Sequence, residues 1–125
     1  MPVDYRIDKQ NAVVLTTARG VLTADDIMAS RGRLAANPDF SPDMKQLIQL
    51  LGVTEVNVTK SEWRTLAKTD PFMPGALRAL VGDQDITFGI LRMYEMMTDR
   101  PGISVHVFRD MDAAREWLGI GAAPR

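Results

Sequence analysis

Ile103-Ser104-Val105-His106-Val107-Phe108-Arg109-Asp110-Met111-Asp112-Ala113-Ala114-Arg115-Glu116-Trp117-Leu118-Gly119 changes its hydrophobic period half-way along, and that change decides the fold. Ile103 to Phe108 alternates and is rich in β-branched residues, which predicts a strand. Beyond it, Ala113, Ala114, Trp117 and Leu118 share one face at 3.6 residues per turn, which predicts a helix capped by Asp110 and closed by Gly119. A strand running into a capped amphipathic helix is the repeating unit of an α/β domain.

The same unit recurs upstream. Ala76 to Val81 reads as a strand ended by Gly82-Asp83, with a helix from about Asp85 to Asp99 that stops before Pro101-Gly102. Leu47 to Leu51 is a strand, apolar except for Gln49, and Thr59 with Glu62 forms a capping box for a helix through Trp63, Leu66 and Ala67. Another capping box, Thr23 with Asp26, opens a helix that Asn37-Pro38 ends. Before it come Tyr5 to Asp8 and Ala12 to Ala18, joined by Lys9-Gln10-Asn11, a short polar connection that predicts an antiparallel hairpin. The order β-β-α-β-α-β-α-β-α predicts one α/β domain over residues 1–120, with a short tail over 121–125. Its sheet is mixed, of about five strands with an N-terminal β-hairpin, and four helices cover it.

Composition narrows the function classes. The 125 residues are 46% hydrophobic and 25% charged, which excludes a mostly disordered chain. Fifteen Lys and Arg against 16 Asp and Glu leave a formal charge of −1, too small a field to draw nucleic acid, and the basic residues form no dense run. With no cysteine there is no disulfide, zinc-thiolate cluster or thiol nucleophile. The start carries charge at once, and no stretch approaches the roughly 20 apolar residues of a membrane span, so a cytoplasmic location is expected.

Candidate chemistry is sparse. His106 is the single histidine and has no nucleophile or orienting partner nameable from the sequence. The acid pairs Asp25-Asp26, Asp83 with Asp85, and Asp110 with Asp112 all fall at helix starts, where caps and the dipole account for them. Asp83-Gln84-Asp85 lacks the glycine and terminal glutamate of a calcium loop. The expectation is a non-enzymatic protein with no metal and no cofactor.

Two features stand out. Arg31 projects into the middle of the apolar arc of Ala24, Ile27, Met28, Leu34 and Ala35. A guanidinium there must snorkel, pair with a carboxylate, or face a polar ligand. On the helix from Asp85, the residues Ile86, Ile90, Met93, Tyr94 and Met97 define an inner stripe, with Arg92, Glu95 and Asp99 outside it. Phe88, Leu91 and Met96 widen the apolar arc beyond what one sheet face requires and form a candidate interaction surface.

Three stretches carry a resemblance to a known family: Gly20-Val21-Leu22-Thr23-Ala24-Asp25-Asp26, Leu47-Ile48-Gln49-Leu50-Leu51-Gly52-Val53-Thr54-Glu55-Val56, and Val107-Phe108-Arg109-Asp110 running into Ala113-Ala114-Arg115-Glu116-Trp117-Leu118. Over roughly residues 3 to 119 the chain resembles the SpoIIAA-like proteins, relatives of the STAS domain and more distantly of the lipid-exchanging Sec14-like fold. In STAS domains of the anti-sigma-factor-antagonist type, a serine in an Asp-Ser-Ser-Gly-like context at a helix start is phosphorylated. That motif is absent here, and Thr59 and Ser61 are the nearest candidate phospho-acceptors by position. The expected function is a cytoplasmic protein-interaction module, self-associating or docking a protein partner. The alternatives are a carrier or sensor of a small apolar ligand, as the Sec14-like resemblance implies, and a phospho-switch.

Overall fold

A computed structural model describes residues 2–98 and 104–121. Five strands and four helices follow the expected order: β1 (Val3–Asp8), β2 (Val13–Thr23), α1 (Ala24–Ala35), β3 (Lys45–Asn57), α2 (Lys60–Lys68), β4 (Leu77–Val81), α3 (Asp85–Met97), β5 (Ser104–Phe108) and α4 (Met111–Leu118). They form one mixed sheet in the order β1-β2-β3-β4-β5, with β1 antiparallel to β2 and the other neighbours parallel. Ile103, Asp99 and the tail beyond Gly121 lie outside the described residues.

This order has a consequence for layering. Every parallel step moves one strand in the same direction, and such crossovers are right-handed, so α1, α2 and α3 must share one face. The core clusters divide accordingly. Ala18, Leu50, Leu80 and Val105 pack with Trp63 and Leu66 of α2 and Leu91 and Tyr94 of α3. On the opposite face Val13, Leu47, Ala79 and Val81 pack under Ala114 and Leu118 of α4. A third cluster, Val14, Leu34, Phe72 and Ala76, fills the end of the domain near the hairpin, where the Phe40 and Phe72 rings meet edge to face at 5.2 Å.

The helix signals behave as read. Thr23 with Asp26 and Thr59 with Glu62 form complete capping boxes, Asp110 accepts from the Ala113 N–H, and Gly119 closes α4 at φ 71°. At α3, however, Gln84 is the N-cap and makes no side-chain capping bond. Asp85 instead binds Arg109, Nη1 to Oδ1 at 2.9 Å, so capping does not account for the Asp83–Asp85 pair.

Two strands are longer than expected. β2 and β3 continue past the rest of the sheet as a parallel ribbon, pairing Arg19 with Gly52 and Leu22 with Val56. The register shifts just before Arg19 and again between Gly20 and Val21, and Gly20, at φ 66°, supplies the left-handed residue that the irregularity needs. The added residues mix buried and exposed side chains without a clear alternation: Leu22 and Val53 are buried, whereas Val21, Thr54 and Glu55 are exposed.

Burial sorts the expected stability effects. Leu118→Ala removes a fully buried side chain and is expected to cost about 2–5 kcal/mol in urea unfolding, whereas Leu51→Ala should stay within about 0.5 kcal/mol. Equal losses at the two sites contradict the placement of α4. In the hairpin turn, the Asn11 side chain and backbone N–H both donate to Asp8 and hold its pKa below the ordinary 3.8. That small contribution is complete above pH 3.8 and fades as pH falls through the lowered value. Asn11→Ala should raise the Asp8 pKa in a carboxyl NMR titration.

Candidate functional site

A row of polar side chains crosses the helix-covered face of the sheet where only apolar ones would be expected. Thr16 on β2, Gln46 on β3 and Arg78 on β4 stand on adjacent strands, and all three are buried. The Gln46 amide donates to the Thr16 hydroxyl at 3.3 Å, and Arg78 Nε donates to Gln46 Oε1 at 3.1 Å. Arg78 Nη1 pairs with the carboxylate of Asp70, in the loop after α2, and its guanidinium lies 5.0 Å from the Phe72 ring centre. Desolvation lowers the Arg78 pKa from its ordinary high value to about 10; the Tyr94 hydroxyl opposes that shift and the like charge of Arg31 adds to it. The group remains protonated at neutral pH.

Arg31 approaches the same space from α1. Its Nη1 donates to the Leu66 carbonyl at 2.6 Å and its Nη2 to the Tyr94 hydroxyl at 2.8 Å. Leu66 lies in the last turn of α2, where carbonyls lack intrahelical partners and the dipole favours a cation. Tyr94 donates back toward the same carbonyl at a long 3.4 Å, and its ring tilts against Trp63 at 5.3 Å. Of the three outcomes open to Arg31, neither full snorkelling nor a carboxylate partner is found among the described residues.

Between the two arginines lies a cavity of about 80 Å³, walled by Ile27, Leu50, Leu80 and Leu91 and reached by Ser30, Arg31, Arg78 and Tyr94. Apolar walls with a few convergent polar groups are the usual make-up of a small-molecule site. A larger depression of about 330 Å³ on the α4 face, among Arg6, Gln49, Met111 and Arg115, is more open to solvent. Among the described residues no three His, Asp or Glu side chains converge as metal ligands do.

The other expected site residues fall elsewhere. The candidate surface Phe88, Leu91 and Met96 does not exist as one patch. Leu91 is buried in the core, Phe88 is half-buried with Arg109 stacked 4.2 Å from its ring centre, and Met96 is exposed beside solvent. Most of the expected inner stripe holds: Tyr94 is buried and Ile90, Met93 and Met97 pack against the core, while Ile86 is 79% exposed and Thr87 and Leu91 take inward positions. Gly82 makes room for them, because a Cβ there would lie 3.0 Å from both Thr87 and Leu91. The missing side chain lets α3 settle on that face. Glu95, expected outside, accepts from the Val107 N–H at 2.9 Å and so covers part of the β5 backbone.

Thr59 is committed as an N-cap, and Ser61 is exposed in the first turn of α2. His106 packs edge-on against Trp117 at 4.8 Å, with Nδ1 3.8 Å from Glu95 and its side chain 57% exposed. The residues that sequence reasoning missed are Arg78, Gln46, Asp70 and Tyr94. The available signal was Arg78 itself, a charge in the middle of the otherwise apolar strand Ala76-Leu77-Arg78-Ala79-Leu80-Val81.

Comparison with solved structures matches this arrangement to an uncharacterised protein of the DUF3478 family from Shewanella loihica PV-4, described as having a SpoIIAA-like fold. The TM-score is 0.62 at 16% identity, over 93% of both chains. The fold is SpoIIAA-like. No family model matches the chain, and no curated protein matches it. The expected mixed α/β sheet of five strands with four helices is thereby established, and no helix among the described residues is long and apolar enough to cross a membrane.

The polar row makes a stability prediction. Asp70→Asn leaves the buried Arg78 without its counter-ion and should cost about 3–5 kcal/mol in chemical unfolding. Asp70→Asn with Arg78→Met should be less costly than Asp70→Asn alone. Additive losses contradict the pairing.

Proposed function

We propose that this chain is a non-enzymatic binding module that holds a small apolar molecule between its three-helix layer and its sheet. The observation that carries this reading is the partly open cavity, whose apolar walls meet two guanidinium groups and a phenol. No catalytic role fits its polar groups equally well: arginine, glutamine and threonine held by one another lack a poised general base. The self-association reading loses Leu91 to the core and Phe88 to its stack with Arg109, which leaves Ile86 and Met96 as separate exposed side chains. Single exposed apolar residues are ordinary on monomers.

The tryptophans provide a direct test. Trp63 lines the cavity, and Trp117, the second of the two, lies under the other face. In a Trp117→Phe background, short-chain apolar compounds should change Trp63 emission saturably. Ala18→Leu, which places extra carbons in the cavity wall, should abolish that response. A response that never saturates, or that Ala18→Leu leaves unchanged, overturns the proposal.

A further inference from the structure

We infer that the occupant is a short apolar monocarboxylate, its carboxylate between Arg31 and Arg78 and its chain among Ile27, Leu50, Leu80 and Leu91. This rests on the cavity reading above and specifies the ligand's head and size. Charge is the first argument. Two guanidinium groups border the cavity, and among the described residues one carboxylate, that of Asp70, touches either of them. Asp70 is engaged by Arg78, so the wall carries one positive charge more than it carries negative.

Geometry is the second argument. The present acceptors of Arg31, the Leu66 carbonyl and the Tyr94 hydroxyl, are both neutral. A guanidinium offers five N–H donors in a planar fork suited to a carboxylate, so donors remain after those two bonds. Arg78 commits Nε and Nη1 to Gln46 and Asp70, which leaves Nη2 as its available nitrogen. Tyr94 touches Arg31, and its long 3.4 Å bond to Leu66 leaves the hydroxyl readily turned toward a second carboxylate oxygen.

Charge number and volume set the ligand class. A carboxylate brings one negative charge and neutralises the surplus. A phosphate monoester brings about 1.5–2 and would leave buried negative charge. The cavity, at about 80 Å³, is roughly half the ~150 Å³ void that admits benzene and opens partly to solvent, so the buried apolar part is a few carbons long and a slightly longer chain extends toward the opening. Burial among leucines also strengthens the ion pair relative to water.

Isothermal calorimetry with pentanoate, 1-pentanol and butyl phosphate tests this on the full chain. Pentanoate should bind at least tenfold more tightly than either of the others. Arg31→Met should weaken pentanoate tenfold or more and weaken 1-pentanol far less, and Tyr94→Phe should weaken pentanoate less than Arg31→Met does. Pentanoate affinity should also fall as pH drops through the acid's own pKa, about 4–5. Should Arg31→Met lose cooperative unfolding, Arg31→Lys keeps the charge without the fork. A loss of pentanoate affinity there supports the inference, and unchanged affinity overturns it. If 1-pentanol matches pentanoate, or butyl phosphate exceeds it, the carboxylate assignment falls and the cavity reading stands. If none of the three binds, the carboxylate assignment falls, and Trp63 emission with longer or cyclic apolar compounds decides the cavity reading separately.

Discussion

Arg31 ties the helix layer together. From α1 it reaches the last turn of α2 through the Leu66 carbonyl and the last turn of α3 through the Tyr94 hydroxyl. A hydrogen bond from a charged donor contributes about 1.5–3 kcal/mol, more than most neutral ones. It also satisfies a helix-end carbonyl whose other bond, from the Tyr94 hydroxyl, is a long 3.4 Å. Three helices that belong to successive crossovers are thus joined at one guanidinium, directly above the polar row on the sheet. The same group that fixes the layer gives the space beneath it a positive wall, so architecture and binding chemistry share one side chain.

The arrangement follows from the monotonic order of the strands. Because every crossover lies on one side, that side receives three helices, while α4 alone covers the other. Three helices over a twisted sheet do not close perfectly, and the cavity lies between side chains of α1, α2 and α3 and those of β2, β3 and β4. Filling that gap with leucine would make an ordinary core. Here Thr16, Gln46 and Arg78 occupy the floor instead, each satisfied by a neighbour, and no buried side-chain polar atom among the described residues lacks a partner. Satisfied networks of this kind hold a rigid surface for recognition at a cost in stability that an apolar replacement would avoid.

Most of the fold was legible in the sequence. Capping boxes at Thr23 and Thr59, the proline stops and the alternation before Phe108 located the elements, because each is a local effect of backbone chemistry. The inward placement of Thr87 and Leu91 on α3 was not legible: it depends on Gly82, whose meaning is steric and appears only when β4 and α3 are adjacent. Of the site, Arg31 could be singled out because helical period placed it on an apolar arc. Arg78 carried the same anomaly in a strand, but its partners Gln46 and Asp70 come from sequence separations that no local pattern links.

The account stands on the cavity's excess positive charge choosing a small organic acid. Crystals grown with 3-bromopropanoate report the head and the body of one ligand together. The account predicts anomalous bromine density among Leu50, Leu80 and Leu91, with the carboxylate within 3.2 Å of an Arg31 nitrogen, the ordinary reach of such a bond. Bromine density confined to the α4 face or the outer surface, with the cavity unaltered at saturating acid, would contradict it.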